Sequence, residues 1–243
     1  MHPEDTVTTA SLAGRTTEWH PLWMAFAQAY EELVDAPHAA DEEAFRDELV
    51  FCLLGGHGVT YELTSSVLPV VRRLDIFAAR WTPGRLERVI ARELARPQFE
   101  PRRSDGSLRR YRFPNRKARL LVAAREWLLQ ECPVTLQLRD LDDERGRREL
   151  LCRCPGIGPK SASWLLRNTG YASELAILDV HVIRAMREYG YAEDGITLPR
   201  DYDRLEGSFL AWCGTLDARP DAFDLFLWEW QRGTIRPHAR RAS

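Results

Sequence analysis

The chain contains no long apolar run, and none approaches the ~20 consecutive residues that a membrane-spanning helix needs. It also lacks an excess of basic residues, because 34 Lys and Arg stand against 36 Asp and Glu, for a formal charge of −2. The first absence argues against a membrane-spanning chain, and we expect no signal peptide. The second means that any polyanion must be bound by a local patch of basic residues.

Cysteine is scarce and scattered. The five cysteines, at positions 52, 132, 152, 154 and 213, form no CxxC pair, so no zinc quartet is expected. An odd number suits a reducing compartment, and we expect free thiols in a cytoplasmic protein. Cys152 and Cys154 lie two residues apart, where packing is favoured over a redox or metal role.

Regular alternation of apolar and polar residues is also missing, whereas apolar residues recur at helical spacing, as at Trp19, Trp23, Phe26 and Tyr30. This pattern predicts an all-α fold of about ten helices without internal repeats. A 44% hydrophobic content suits one compact domain, or two small lobes that share a cleft. We expect a flexible tail at 1–17, the folded domain at 18–235 and a basic tail at 236–243.

The stretch 150–168 predicts a helix, a tight hairpin and a second helix, with the sequence PGIGPK at 155–160. Gly156 and Gly158 have no Cβ, which a turn this tight requires, and Pro159 is suited to the first position of the following helix. The free N–H groups at that helix end favour an anion such as a phosphate. We therefore predict a contact with a nucleic-acid backbone.

Two residues in and after this stretch carry the chemistry. Lys160 lies in the first helical turn, and Asp179 follows after a helix and a short loop. An amine and a carboxylate together suit Schiff-base chemistry, in which one attacks and the other moves protons. Each also has a simpler role, because Lys160 can contact a phosphate and Asp179 can cap the next helix.

The segment between positions 101 and 119 is the most basic part of the chain, with Asp105 as its single acidic residue. Such a run is either a solvated loop or a set of phosphate contacts. The residues that we predict to contact DNA are Arg109, Arg110, Arg112 and Lys117. A second unusual segment, GGHG at 55–58, is either a loop that approaches a ligand closely or a plain turn.

Five stretches resemble the helix-hairpin-helix DNA glycosylase superfamily, specifically its archaeal-type 8-oxoguanine glycosylase/lyase branch. They are PGIGPK at 155–160, LLRNTGY at 165–171, LDVH at 178–181, FPNRKA at 113–118 and DLFLW at 224–228. The resemblance spans roughly residues 45–235. It implies the helix-hairpin-helix glycosylase fold, in which two helical lobes flank a cleft for DNA and the damaged base.

The resemblance also implies roles. Lys160 would attack C1′ of a nucleotide flipped out of double-stranded DNA, releasing a modified base, and Asp179 would assist. Backbone amides at Gly156, Ile157 and Gly158 would hold a phosphate, with a monovalent cation at the hairpin carbonyls. His181 resembles a phosphate contact of the family, although a surface helix residue is an equal alternative. Because only Cys213 lies beyond Asp179, no iron–sulfur cluster is expected, nor any other cofactor or metal.

The base pocket is where the chain departs from the family. Its expected residues lie in the GGHG segment at 55–58, called here the glycine loop, and in the last helix. They are Gly55, Gly56, His57, Phe226, Trp228 and Trp230. Aromatic residues on a closing helix are alternatively core. The first-choice substrate is 8-oxoguanine. A bulkier base, such as glucosylated hydroxymethylcytosine of phage DNA in an antiviral role, and a DNA-binding protein without catalysis remain alternatives. We expect a nucleoid-associated monomer.

Overall fold

The computed structural model describes residues 9–33, 39–56, 58–130, 132–193 and 195–235. Within these residues there is no strand, only an isolated bridge between Phe99 and Arg109, and the all-α prediction is confirmed. The described helices are α1 (Thr9–Leu33), α2 (Glu42–Leu54), α3 (Tyr61–Leu74), α4 (Pro83–Ala95), α5 (Pro114–Gln130), α6 (Val134–Asp140), α7 (Glu144–Cys152), α8 (Pro159–Asn168), α9 (Val180–Glu188), α10 (Tyr202–Thr215) and α11 (Pro220–Arg232).

The chain divides into two compact units. Residues 38–172 form one, called here the central unit, and residues 1–37 with 173–243 form the other, the terminal unit. The first helix begins at Thr9, so the described residues 9–17 are helical where the sequence predicts a tail. The predicted C-terminal tail, 236–243, lies outside the described residues.

Helix α2 is the core of the central unit. Asp41 caps its N-terminus by accepting a hydrogen bond from the Ala44 amide at 2.9 Å. From Leu49 to Leu54 every side chain is apolar and buried. A helix that is apolar on all sides must be enclosed by other elements, and α2 is accordingly packed against α3, α5, α6 and α8.

The terminal unit is built on an aromatic core. Trp19 and Trp23 of α1 pack against Phe223 and Phe226 of α11, with ring centroids 5.0–5.8 Å apart. All four side chains are almost fully buried, and aromatic pairs at these distances add to the free energy gained by burying area. Helix α9 packs on α11 in the same unit, which places the residue that precedes α9 on a firmly held scaffold.

Candidate active site

The predicted hairpin is present between α7 and α8 in the central unit. Gly156 has a φ of +89°, and a Cβ there would lie 3.0 Å from Leu53 and 3.1 Å from Leu120. Glycine is therefore required both by the backbone and by the contact with α2 and α5. The amide of Ile157 donates to the carbonyl of Cys154 at 3.1 Å. That amide closes the turn, so the prediction that it holds a phosphate is wrong.

Helix α8 begins without a side-chain cap. Its N-cap residue is Gly158 and its first residue is Pro159, so no side chain at these positions accepts a hydrogen bond from the first-turn N–H groups. A helix end of this kind carries a partial positive charge and free donors. The N-terminus of α8 is therefore chemically suited to an anion, as the sequence predicts.

Lys160 is half-buried in the first turn of α8. Its Nζ lies 5.2 Å from the centroid of the Trp164 ring, one helical turn further on. The ring contacts α2 as well, because Phe51 meets it edge to face at 5.8 Å. The amine thus lies beside an aromatic ring, a contact that the family-like motifs do not indicate. Its sequence signal is an aromatic residue four positions after the lysine.

Asp179 caps α9 in the terminal unit. One oxygen, Oδ1, accepts hydrogen bonds from the amides of His181 at 2.8 Å and Val182 at 2.9 Å. Both bonds use the same oxygen, and Oδ2 takes no part in the cap. The capping role is therefore present, and it leaves one carboxylate oxygen for acid–base chemistry.

The segment before Asp179 is held by buried polar side chains that sequence reasoning missed. Asp224 of α11 accepts from the Ile177 amide at 2.9 Å, and Glu206 of α10 accepts from the Ala176 amide at 3.2 Å. The Tyr202 hydroxyl donates to the Ala176 carbonyl at 2.7 Å. Buried carboxylates that accept backbone N–H bonds hold a segment in one geometry. Asp224 lies in the family-like stretch 224–228, but only the folded structure shows that it accepts from the Ile177 amide.

His181 lies on the first turn of α9, next to Asp179. Its ring is half-buried, and Nδ1 is enclosed without a hydrogen-bond partner among the described residues. A buried ring nitrogen of this kind is normally paired. Because this nitrogen is enclosed, it gives no support for a phosphate contact, and the phosphate-binding role of His181 stays a prediction.

The predicted DNA-contacting basic residues divide into two groups. Arg109, Arg110 and Arg112 are exposed, although Arg109 also donates to the Pro101 carbonyl at 2.6 Å and so shapes its own loop. Lys117 differs, because its ammonium points inward and donates to the carbonyls of Leu53 and Gly55. Burial, together with a smaller effect of the neighbouring charge of Arg116, lowers the Lys117 pKa to about 8. The prediction that Lys117 binds DNA is therefore wrong.

The aromatic residues of α11 that were expected in the base pocket differ in how deeply they are buried. Phe226 is fully buried in the core of the terminal unit, so its assignment to a base pocket is wrong. Trp230 stacks on Phe226 with ring planes 18° apart, and the Arg232 guanidinium lies 4.2 Å from the Trp228 ring centroid. Both tryptophans are half-buried. Large aromatic side chains on a closing helix bury the most area by packing inward, which is why the core takes Phe226.

The glycine loop lies in the central unit. Gly55 is buried against α8, since a methyl group on its Cα would lie 3.6 Å from Trp164 Cζ3, whereas Gly56 is exposed. Gly56 and Gly58 have φ of +124° and +73°, which other residues rarely adopt. His57 lies outside the described residues. The loop is held by Lys117 and by the Tyr111 hydroxyl, which donates to the Leu54 carbonyl.

The cysteines of the described chain are free thiols, of which Cys52, Cys154 and Cys213 are buried. Burial raises the pKa of Cys154 and of Cys213 to about 12, so neither is a reactive thiolate near neutral pH. Among the described residues, no three His, Cys, Asp or Glu side chains cluster as metal ligands. No described helix has the length and apolar character needed to cross a membrane.

One stretch, about half of the chain, matches a known family. Residues 98–218 match the family model described as 8-oxoguanine DNA glycosylase. The chain is 33% identical over 130 residues to the 8-oxoguanine DNA glycosylase/AP lyase of Metallosphaera sedula, which covers 51% of this chain and 60% of that protein. The matched region thus spans about three fifths of the relative's length.

Solved structures match over nearly the whole chain. The 8-oxoguanine DNA glycosylase of Thermotoga maritima is 26% identical, with a TM-score of 0.59 over 94% of this chain and 97% of that one. The Methanocaldococcus jannaschii 8-oxoguanine glycosylase/lyase, solved with 15mer DNA containing 8-oxoguanine, is 21% identical with a TM-score of 0.61 over 89% and 91%. Over residues 98–218 the chain is therefore similar to the 8-oxoguanine DNA glycosylase family, and it has the fold of a solved 8-oxoguanine DNA glycosylase.

Proposed function

We propose that the protein is a DNA glycosylase with AP lyase activity, which removes a modified base from double-stranded DNA. The observation that carries the proposal is the position of Lys160: a half-buried amine on the first turn of α8, directly after a hairpin whose helix end has no side-chain cap. A phosphate bound at that helix end would bring the sugar of a flipped nucleotide to the amine. The similarity of residues 98–218 to 8-oxoguanine DNA glycosylases, and of 130 residues to a glycosylase/AP lyase, supports this role.

The reaction begins at C1′ of the flipped nucleotide. The amine of Lys160 forms a bond to C1′ while the bond from C1′ to the base breaks, and the base leaves with a proton. Opening of the sugar ring gives an imine between Lys160 and C1′. Loss of a proton from C2′ then expels the 3′ phosphate, which cleaves the strand, and water releases the lysine.

Asp179 serves as the acid–base partner. The oxygen outside the cap, Oδ2, accepts a proton during amine attack and stabilises the positive charge that develops on the sugar. The cap formed by Oδ1 with the amides of His181 and Val182 holds the carboxylate in one orientation. Asp224 and Glu206 act behind it, through the segment that precedes Asp179.

Binding of the DNA backbone falls to the α8 N-terminus, His181 and the exposed arginines 109, 110 and 112. A monovalent cation would be held by hairpin carbonyls such as that of Cys154, which accepts a hydrogen bond from Ile157 and has a second lone pair. When bound there, such an ion supplies positive charge beside the phosphate. We infer that the protein acts as a monomer in the cytoplasm, associated with the nucleoid.

The first-choice substrate is 8-oxoguanine, which the names of the relatives indicate. A bulkier base remains the second candidate, because Gly55 and Gly56 place no large side chain in the loop expected near the lesion. Glucosylated hydroxymethylcytosine is one such base, with an antiviral role. A DNA-binding protein without catalysis is the third candidate.

Borohydride trapping separates enzyme from binder. Purified protein is incubated with duplexes that hold 8-oxoguanine, glucosylated hydroxymethylcytosine, uracil or an abasic site, and the imine is reduced. We expect a covalent adduct that Lys160→Gln abolishes and Arg139→Gln, at an exposed site on α6, retains. An adduct that persists in Lys160→Gln contradicts the assigned nucleophile. Trapping on none of the duplexes supports the binder, and release of 8-oxoguanine alone excludes the bulkier base.

A further inference from the structure

Arginine side chains line one side of α4, in the central unit. Three lie within the helix and the fourth is its C-cap residue, and together they are called here the α4 arginine row: Arg85, Arg88, Arg92 and Arg96. All four are exposed. Their spacing of three, four and four residues places them along one side of a helix. The row therefore presents a line of positive charge to solvent.

The acidic residues of α4 are kept off this side. At about 100° per residue, the three helical arginines fall within an arc of about 60°. The buried face of Leu86, Ile90 and Leu94 lies on the opposite side of the helix. Glu87 and Glu93 flank that buried face and are half-buried themselves. Solvated surfaces normally mix both signs of charge, so this segregation, in a chain of formal charge −2, indicates a surface for an anionic partner.

The row is unfavourable in the free protein. Arg88 and Arg92 are four residues apart on the helix, where like charges repel each other. Among the described residues neither forms an ion pair, whereas Arg96 pairs with Glu93 at 2.9 Å. A bound polyanion would relieve the repulsion. Arg88 and Arg92 are therefore the two members of the row best placed to contact phosphates.

The row ends beside the loop that is expected to contact DNA. The Tyr111 amide donates to the carbonyl of Leu94, in the last turn of α4, at 3.0 Å. The hydroxyl of the same tyrosine donates to the Leu54 carbonyl, next to the glycine loop. Phe99 and Arg109 exchange backbone hydrogen bonds at 2.9 and 3.1 Å. The exposed arginines at 109, 110 and 112 thus lie next to the C-terminal end of the row.

The length of the row suits a phosphate backbone. At a rise of about 1.5 Å per residue, Arg85 and Arg96 are about 16 Å apart along the helix axis. One DNA strand carries a charge about every 3.4 Å along the duplex axis, so the row spans about five phosphates. The guanidinium group binds phosphate oxygens through several N–H groups at once. The row can thus neutralise a stretch of one strand without contacting a base.

We propose that the α4 arginine row binds the sugar–phosphate backbone of the duplex that flanks the damaged base, and so extends the contact made by the loop arginines. The ligand is duplex DNA of any sequence, because phosphates carry no sequence information. Such contacts supply the salt-dependent affinity for undamaged DNA with which a protein slides along a duplex. The inference rests on the proposed function only in taking DNA as the ligand, and it requires no chemistry at Lys160.

Salt titration tests the row. The affinity of the full chain for an undamaged duplex of about three helical turns is measured by fluorescence anisotropy at several salt concentrations. Arg88→Gln/Arg92→Gln should lower the slope of log affinity against log salt by about two, one for each phosphate contact. The matched control is Arg139→Gln/Arg145→Gln, which removes the same charge from exposed positions on α6 and α7 and should leave the slope unchanged. Equal slopes for the two double variants would overturn the inference.

Circular dichroism checks that both double variants are folded, as expected for exposed substitutions. If Arg88→Gln/Arg92→Gln is unfolded, Arg92→Gln alone is measured, and it should lower the slope by about one.

Phosphate ethylation interference locates the contact. Ethylated duplexes that hold one abasic site are trapped with borohydride, which fixes the register, and the phosphates depleted from the trapped fraction are mapped. Arg88→Gln/Arg92→Gln should lose its response at phosphates that neighbour, but differ from, those lost in Arg110→Ala. Identical sets for the two variants would refute a separate contact. A lower slope with an unchanged map would place a second DNA molecule on the row and refute the flanking contact.

The two proposals fail in different ways. A protein whose salt slope depends on the row, but which traps no imine on any duplex, contradicts the proposed function and leaves the row in place. A protein that traps the imine, with a slope that does not depend on the row, contradicts the inference alone.

Discussion

The ammonium of Lys117 donates a hydrogen bond to the carbonyl of Gly55, at the end of α2. The same ammonium also donates to the carbonyl of Leu53, and the Tyr111 hydroxyl donates to the carbonyl of Leu54 between them. Three carbonyls that a helix leaves unpaired at its C-terminus are thus satisfied from one segment, 111–117. A basic residue that the sequence assigns to DNA instead holds the glycine loop in place.

Replacing Lys117 should destabilise the protein. Lys117→Met leaves the buried carbonyls of Leu53 and Gly55 without a donor, at a cost of about 1–3 kcal/mol. Urea denaturation followed by circular dichroism measures the loss. The control is Arg116→Met on the same turn, whose exposed side chain should cost less than about 0.5 kcal/mol. Equal stability of the two variants would contradict the structural role.

The same lysine predicts a pH dependence. Its pKa is about 8 in the folded chain against an ordinary 10.5, because burial disfavours the charged form. Between these values the unfolded chain holds a proton that the folded chain has released, so stability conferred by this group rises with pH. Relative to Lys117→Met, the free energy of unfolding should therefore increase from about pH 7.5 to about pH 9.5. A pH-independent difference would show that the lysine titrates normally.

Substitutions at Asp179 should separate the helix cap from catalysis. Asparagine also caps helices, so Asp179→Asn should change stability by less than about 0.5 kcal/mol while slowing base release at least about 100-fold. Asp179→Ala should lose both the helix cap and base release, and loss of the cap should lower the free energy of unfolding by about 1 kcal/mol. Thermal unfolding and single-turnover excision measure the two effects. Full excision by Asp179→Asn would leave Asp179 with the capping role alone.

The two hairpin glycines should differ in how much an alanine substitution destabilises the protein. Gly156→Ala places a Cβ at a φ of +89° and against Leu53 and Leu120, which should cost about 1–3 kcal/mol. Gly158→Ala meets no atom within 4 Å and should cost less than about 0.5 kcal/mol. Denaturant midpoints compare them. A destabilised Gly158→Ala would show that the hairpin is tighter than its contacts indicate.

Salt titration should separate the exposed arginines from Lys117. Arg110 is exposed, so Arg110→Ala should reduce the slope of log affinity against log salt by about one, the effect of one lost phosphate contact. Lys117→Met should leave the slope unchanged, because its ammonium is directed at backbone carbonyls. Fluorescence anisotropy with duplex DNA gives both slopes. A reduced slope for Lys117→Met would return that residue to the DNA-contacting set.

Local pattern was sufficient for the fold class and the hairpin. Helical periodicity predicts an all-α chain, and two glycines with a following proline predict a turn between helices, because both depend on neighbours within a few residues. Asp179 was likewise identifiable as a cap, since capping is a contact between residues two and three apart. These features would hold in almost any packing of the same helices.

Tertiary structure alone decided which side chains face inward. Lys117 and Arg110 are both basic residues of one stretch. Only Lys117 contacts α2, because it lies on α5 and α5 packs against α2. Phe226 was likewise drawn into the aromatic core, and Trp164 was placed beside Lys160. A sequence specifies which residues can donate, stack or be buried, but the partner of each depends on contacts between residues far apart in the chain. The residues proposed for the chemistry can therefore be identified from the sequence, whereas the contacts that hold the glycine loop and surround Lys160 are determined by packing.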